Sequence, residues 1–227
     1  LQTQDDLPID LRAVVGVLTY KGAPFCTGTI VGDYKILTSK HCFVNQDGSK
    51  ARAFSAYFTN QINFETLVTH NGLNTFRVRP PKVDEARAML SPYETGNDTL
   101  ELSTAEKFTK KANVLPFMPD NFSFPIGAYL IGSNINLDDL AELKLARDYV
   151  RGVSPEKSCA ILESTENGCL YQSCQSSKST SGAGLLIKNS VTGDVQLIGV
   201  HRGPMDVALG CEATPPTTAK LNVAVFL

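Results

Sequence analysis

Residues 25–43 read FCTGTIVGDYKILTSKHCF, and the fold is decided here. FCTGTIV (25–31) and KILTS (35–39) are short apolar or alternating runs separated by turn residues, so they read as consecutive strands. His41 follows the second strand directly and stands beside Cys42, where a half-cystine could fix the backbone that carries an imidazole.

Outward from this stretch the same texture continues: AVVGVLTY (13–20), FETLVT (64–69), TFRVR (75–79), AYLIGS (128–133), GAGLLIK (182–188), VQLIGV (195–200) and LNVAVFL (221–227). That spacing predicts an all-β chain. Within NVLPFMPDNFSFPIG (113–127), Pro116, Pro119 and Pro125 interrupt any central strand or helix. The stretch reads as a crossover over 116–125 between two β halves, 1–115 and 126–227. VTGD (191–194) should close a hairpin. NLDDLAELKLARDYV (136–150) carries both helical and alternating spacing, and the expectation is a short turn followed by a strand.

Composition excludes several classes. The 227 residues hold 21 Lys plus Arg against 23 Asp plus Glu with 42% hydrophobic content, which argues against disorder. A net charge of −2 without a basic block leaves no footprint for nucleic acid, and no window approaches the roughly 18 apolar residues of a membrane span. The six cysteines, Cys26, Cys42, Cys159, Cys169, Cys174 and Cys211, lack the paired CxxC spacings of a zinc site, so disulfides are favoured over metal. Fifteen connectivities remain open. Paired cysteines imply an oxidising compartment, extracellular or periplasmic. LQTQDDLPID at the start has neither a charged n-region nor an apolar h-region, so a secreted protein is expected here in mature form. No carboxylate cluster of the calcium-loop kind is present, and neither metal nor cofactor is expected.

Three histidines, His41, His70 and His201, limit the chemistry. His70, in VTHNGLN (68–74), reads as exposed and inert. Ser181 stands in STSGAGLLI (179–187), a small-residue turn that could present its hydroxyl to a carbonyl. The N–H groups of Ser179 and Ser181 are the candidate oxyanion donors. Asp98, in GNDTLEL (96–102), precedes an alternating strand and could accept the Nδ1 proton of His41.

The order His41, Asp98, Ser181, with the flanks FCTGTIVGDYKILTSKHCF, DTLEL, CQSSKSTSGAGLL and LIGVHRG, is similar to that of the chymotrypsin-like serine proteases. The resemblance runs from about residue 13 to about 226. It implies two six-stranded antiparallel barrels with the active site between them, Ser181 as nucleophile, His41 as general base and Asp98 orienting the imidazole. It also implies the pairs Cys26–Cys42, Cys159–Cys169 and Cys174–Cys211. Protein or peptide substrates follow, with a propeptide or protein inhibitor as further partners.

Departures from the family pattern are as informative. Thr180 replaces the aspartate that pairs with a new N-terminus in the animal digestive enzymes, and about three extra residues separate Cys174-Gln175 from the serine. Lys40 replaces a small residue; it either perturbs the imidazole or points to solvent. The ending KLNVAVFL looks like the bacterial glutamyl endopeptidase branch. Gln172 stands in for the trypsin aspartate, so Lys or Arg preference loses its charge partner. His201 occupies the place where glutamyl endopeptidases bind a substrate carboxylate. Ser176 could add a hydroxyl, Arg202 could reinforce an acidic preference although alternation turns it away from His201, and Gly203 continues the strand lining the pocket. Cleavage after Glu or Asp is one expectation, and a buried structural histidine in a protease of another specificity is the other. The competing expectations are a noncatalytic binding protein on the same fold and, less well supported, an extracellular β-sandwich module.

Overall fold

Turn residues and alternating apolar positions divide the chain into short antiparallel strands, as the sequence requires. The computed structural model describes residues 1–45, 49–90, 98–115, 123–134, 146–164, 168–204 and 222–226. A two-residue strand, β1 (Gln2–Thr3), comes first. Six strands then form one antiparallel sheet: β2 (Val15–Tyr20), β3 (Ala23–Gly32), β4 (Lys35–Ser39), β5 (Ile62–His70), β6 (Leu73–Arg77) and β7 (Thr99–Ser103), in the order β6-β5-β2-β3-β4-β7. Its two edges meet at a bridge between Val78 and Thr104.

The remaining strands are β8 (Asn113–Val114), β9 (Ile126–Gly127), β10 (Tyr129–Ser133), β11 (Val150–Val153), β12 (Ala160–Ser164), β13 (Cys169–Gln172), β14 (Gly184–Lys188), β15 (Val195–Pro204) and β16 (Asn222–Phe226). With β1 they make a ten-stranded sheet in the order β1-β11-β10-β14-β15-β16-β13-β12-β9, and β8 lies parallel to β15. The chain is therefore mostly β, as expected, and the described residues give a first sheet of six strands and a second of ten rather than six. Both β1 and β8 cross to the second sheet from the 1–115 half. Residues 116–122 of the proline-rich crossover lie outside the described residues. The VTGD hairpin joins β14 to β15 as expected.

Three apolar clusters hold these layers. Ile30, Ile36, Phe43, Phe64, Phe76 and Leu102 fill the first sheet, and Leu130, Ile161, Leu170, Leu185 and Ile198 fill the second. Between them Leu11, Val15, Val17, Ile131, Leu186 and Leu197 are buried together and lock the sheets face to face. Each such side chain contributes about 1.5–3 kcal/mol by leaving water. Polar side chains stitch the same interface. Thr27 Oγ1 accepts the Ser133 N–H at 3.0 Å and donates to the Ser179 carbonyl at 3.2 Å, while Thr29 Oγ1 accepts the Gly184 N–H at 3.1 Å.

Three expectations are corrected. Over 146–149 the backbone is a 3₁₀ turn, and the strand begins only at Val150; residues 135–145 lie outside the described residues. His70 is fully buried at the end of β5 instead of exposed. Its Nδ1 accepts the Thr109 N–H at 3.1 Å, and its ring meets Phe76 and Phe108 edge-on. Aromatic packing and a backbone bond outweigh the turn-like local sequence. The Cys26–Cys42 disulfide is present, but Cys159 pairs with Cys174, not with Cys169. That bond also removes the expected Cys174–Cys211 pair. Cys169 is disulfide-bonded as well, and Cys211 lies outside the described residues. Cys159 and Cys174 approach because Ser173, folded beside β12, ties the two segments through bonds to Ala160 N and Ser158 O. No helix among the described residues is long and apolar enough to cross a membrane.

Candidate active site

Strand register brings the first two candidates together. β4 pairs with β7 so that Ser39 faces Thr99, which sets the next residues, Lys40 and His41, against Asp98. The Lys40 N–H donates to the Asp98 carbonyl at 3.1 Å. A 3₁₀ turn over Lys40–Cys42 then swings the His41 ring back over the carboxylate, and the Cys26–Cys42 bond anchors that turn to β3.

Asp98 holds His41 twice. Its Oδ1 accepts the His41 backbone N–H at 2.9 Å, and its Oδ2 lies 2.6 Å from His41 Nδ1. A carboxylate can only accept, so Nδ1 carries a proton, and the neutral imidazole then has its lone pair on Nε2. The carboxylate is completely buried while a quarter of the imidazole remains exposed, so the basic nitrogen can reach a solvent-borne substrate.

Ser181 comes from the second sheet. Its carbonyl accepts the Thr27 N–H at 2.9 Å, and Gly182 donates to the His201 carbonyl at 3.0 Å. Gly182 has φ +83°, and a Cβ there would collide with Thr38 Oγ1 and the Thr27 carbonyl and come within 3.0 Å of Ser39 N. Only glycine lets the serine turn press this closely on the strand end that delivers His41. The preceding 3₁₀ turn, Lys178–Thr180, is capped reciprocally by Ser177 and Thr180. The hydroxyls of Ser177, Ser179 and Thr180 all donate to the Ser133 carbonyl, at 3.2, 2.9 and 3.2 Å.

His201 and Gln172 form a second pair, deep in the ten-stranded sheet. The Cys174 N–H donates to Gln172 Oε1 at 3.0 Å, which turns the amide nitrogen toward His201 Nδ1 at 2.8 Å. Nδ1 is then an acceptor and the imidazole proton belongs on Nε2. That nitrogen is buried and has no hydrogen-bond partner among the described residues. Burial, reinforced by His41 nearby, pushes the His201 pKa down to about 3, so the ring is neutral.

Two neighbours of Asp98 were not legible as such. Arg202 extends across to it, Nε to Oδ2 3.1 Å, with only 4% of its side chain exposed. The expected placement of Arg202 in the specificity pocket is therefore replaced by a contact with the carboxylate. A bulge between His201 and Gly203 in the β15–β16 register re-aims the arginine, and Gly203 follows with φ +141°. Lys40 is also buried; burial pulls its pKa down, and the Asp98 charge opposes that shift. The signal available in the sequence was a cation lodged in an apolar strand, LIGVHRG. Ser176 lines a small cavity with Leu1, Leu130, Asn134, Arg151 and Thr180.

The neutral buried histidines have a consequence for stability. His201 and His70 both have lowered pKa values, mainly through burial, whereas an unfolded histidine titrates near 6.5. Below that pH the unfolded state binds more protons, so stability is present above pH 6.5 and is lost on acidification. His201 alone should cost about 2 kcal/mol between pH 6.5 and 5. Urea denaturation at the two pH values checks this, with His201→Phe expected to flatten the dependence.

The family model described as Trypsin matches residues 6–209, and no curated protein matches the chain.

Proposed function

The chain belongs to the trypsin family, a family of serine protease-type hydrolases acting on protein substrates, and from this we propose that it is a secreted serine endopeptidase using His41, Asp98 and Ser181. The observation that carries the reading is the doubly held imidazole, Nδ1 on Asp98 Oδ2 at 2.6 Å, with the Ser181 turn pressed against the same strand end. In that reading His41 Nε2 takes the Ser181 hydroxyl proton as Oγ attacks the scissile carbonyl, and then returns it to the leaving amine. Asp98 holds the productive tautomer and balances the imidazolium. The amides of Ser179 and Ser181 are the donors assigned to the oxyanion. Water then attacks the acyl-enzyme by the same proton path in reverse. The two sheets, the first with its edges meeting at Val78–Thr104, are read as the two barrels of the fold, with the boundary in 116–125. The disulfides support an extracellular or periplasmic setting.

Specificity for Glu before the scissile bond is the finer part of the proposal. Its support is His201, held by Gln172 as a neutral Nε2–H donor without a partner among the described residues. Such a donor suits a side chain ending in an acceptor oxygen. Arg202 is engaged with Asp98 and supplies no charge to that pocket. Digestion of a diverse peptide mixture, with Ser181→Ala protein as blank and new termini identified by mass spectrometry, tests the whole reading. Cleavage absent from the blank is expected, enriched after Glu. His201→Ala should reduce cleavage after Glu about 10- to 100-fold more than after neutral residues, the worth of one hydrogen bond to a charged group. Equal losses would remove His201 from recognition, and no cleavage by folded parent protein would favour the noncatalytic binding reading.

A further inference from the structure

We propose that Arg202 is a positioning residue of the catalytic aspartate: it shares Asp98 Oδ2 with His41 Nδ1, and its charge sets the acid limb of the pH–rate profile. The inference rests on the assignment of His41 and Asp98 made above. Oδ1 is occupied by the His41 backbone N–H, and Oδ2 receives both the imidazole at 2.6 Å and the guanidinium Nε at 3.1 Å. Carboxylate and guanidinium are both withdrawn from water, with side-chain exposures of 0% and 4%, so their charges are poorly screened.

The arrangement is built into the backbone. Arg202 sits at the bulge between His201 and Gly203 in the β15–β16 register, and its side chain leaves the second sheet to reach the carboxylate. His201, one residue earlier, stays with Gln172 in the sheet.

The electrostatic result follows from counting charges. In an isolated His–Asp pair, protonating the imidazole creates a neutral ion pair. Here Arg202 already balances Asp98, and protonating His41 leaves a buried net positive charge. The other titratable groups facing this pair among the described residues are Lys40, a buried cation that senses Asp98, and His201, which senses His41. His201 is neutral, so it adds no charge at working pH, while Lys40 acts in the same direction as Arg202. Both cations therefore bear on the charge balance of the reacting dyad, which a pH–rate profile reads.

The test compares the pH profile of kcat/KM for the parent, Arg202→Gln and Arg202→Lys. Arg202→Gln should move the acid limb up by about one pH unit, the effect of removing a unit charge several ångströms away at an effective dielectric constant of about 20–40. Arg202→Lys keeps the charge and should leave the limb within about 0.3 unit of the parent. If Arg202→Gln fails to fold, Arg202→citrulline by semisynthesis removes the charge while keeping the stem and its N–H donors. An arginine that only supports structure would change melting temperature and plateau rate without moving the limb. Histidine ¹⁵N NMR in a Ser181→Ala background follows the His41 ring without turnover, and its midpoint should move by the same amount. An unmoved limb and an unmoved ring midpoint in the folded neutral variant overturn the proposal. Activity retained by Ser181→Ala would instead overturn the triad reading, with the NMR titration still deciding the role of Arg202.

Discussion

Ser181→Ala protein is expected to turn over peptide substrates about 10⁶-fold more slowly than the parent, with KM and fold little changed. Without Oγ no acyl-enzyme can form, and the base, the aspartate and any oxyanion donors retain only the modest acceleration that such sites give to direct attack by water. The fold should survive because the turn is held by main-chain groups. The Ser181 carbonyl accepts the Thr27 N–H at 2.9 Å, and the backbone at 181, φ −47° and ψ 133°, is open to alanine. Gly182, not Ser181, is the position that admits no added carbon. Single-turnover and steady-state rates, with melting curves alongside, check both halves. Retention of a tenth or more of the parent kcat would require another nucleophile.

Much of this site can be read from the sequence because its parts are local. Cys26 lies on β3, and His41 and Cys42 lie on the turn that directly follows β4, while the run ending in Ser39 together with the run beginning at Thr99 already places Asp98 at a strand entrance. What the sequence does not carry is which long-range partners meet. His70 looks like part of an exposed hairpin until Phe76, Phe108 and the Thr109 N–H close around it, and Thr109 is 39 residues away. The pairing of Cys159 with Cys174 over Cys169 depends on how Ser173 folds back on β12, and cysteine spacing does not encode that. Arg202 is the sharpest case. Alternation turned it away from His201 yet named no partner for it, because both the bulge and the carboxylate beyond it belong to tertiary structure.

Asp98→Asn should cost more here than in a bare His–Asp arrangement. Loss of the acceptor at Oδ2 lets the amide present its NH₂ to His41, which favours the tautomer with Nδ1 unprotonated and Nε2 protonated. The base then faces Ser181 with its proton on the wrong nitrogen, and a loss of roughly 10⁴ in kcat at neutral pH follows. The second cost falls on Arg202. Its buried guanidinium, 3.1 Å from the carboxylate in the parent, would lose the anion that balances it. Breaking a buried pair from one side typically costs about 3–5 kcal/mol, so the variant should unfold at markedly lower urea concentration as well. The double variant Asp98→Asn/Arg202→Gln separates the two effects. It should recover much of the lost stability, since the unbalanced guanidinium is gone and only Lys40 is left without the Asp98 charge, yet recover little of the rate, since the tautomer is still wrong. A double variant as unstable as Asp98→Asn alone would show that the carboxylate matters to the fold chiefly through its bonds to His41. A loss of rate below tenfold in the single variant would mean that another carboxylate orients the base.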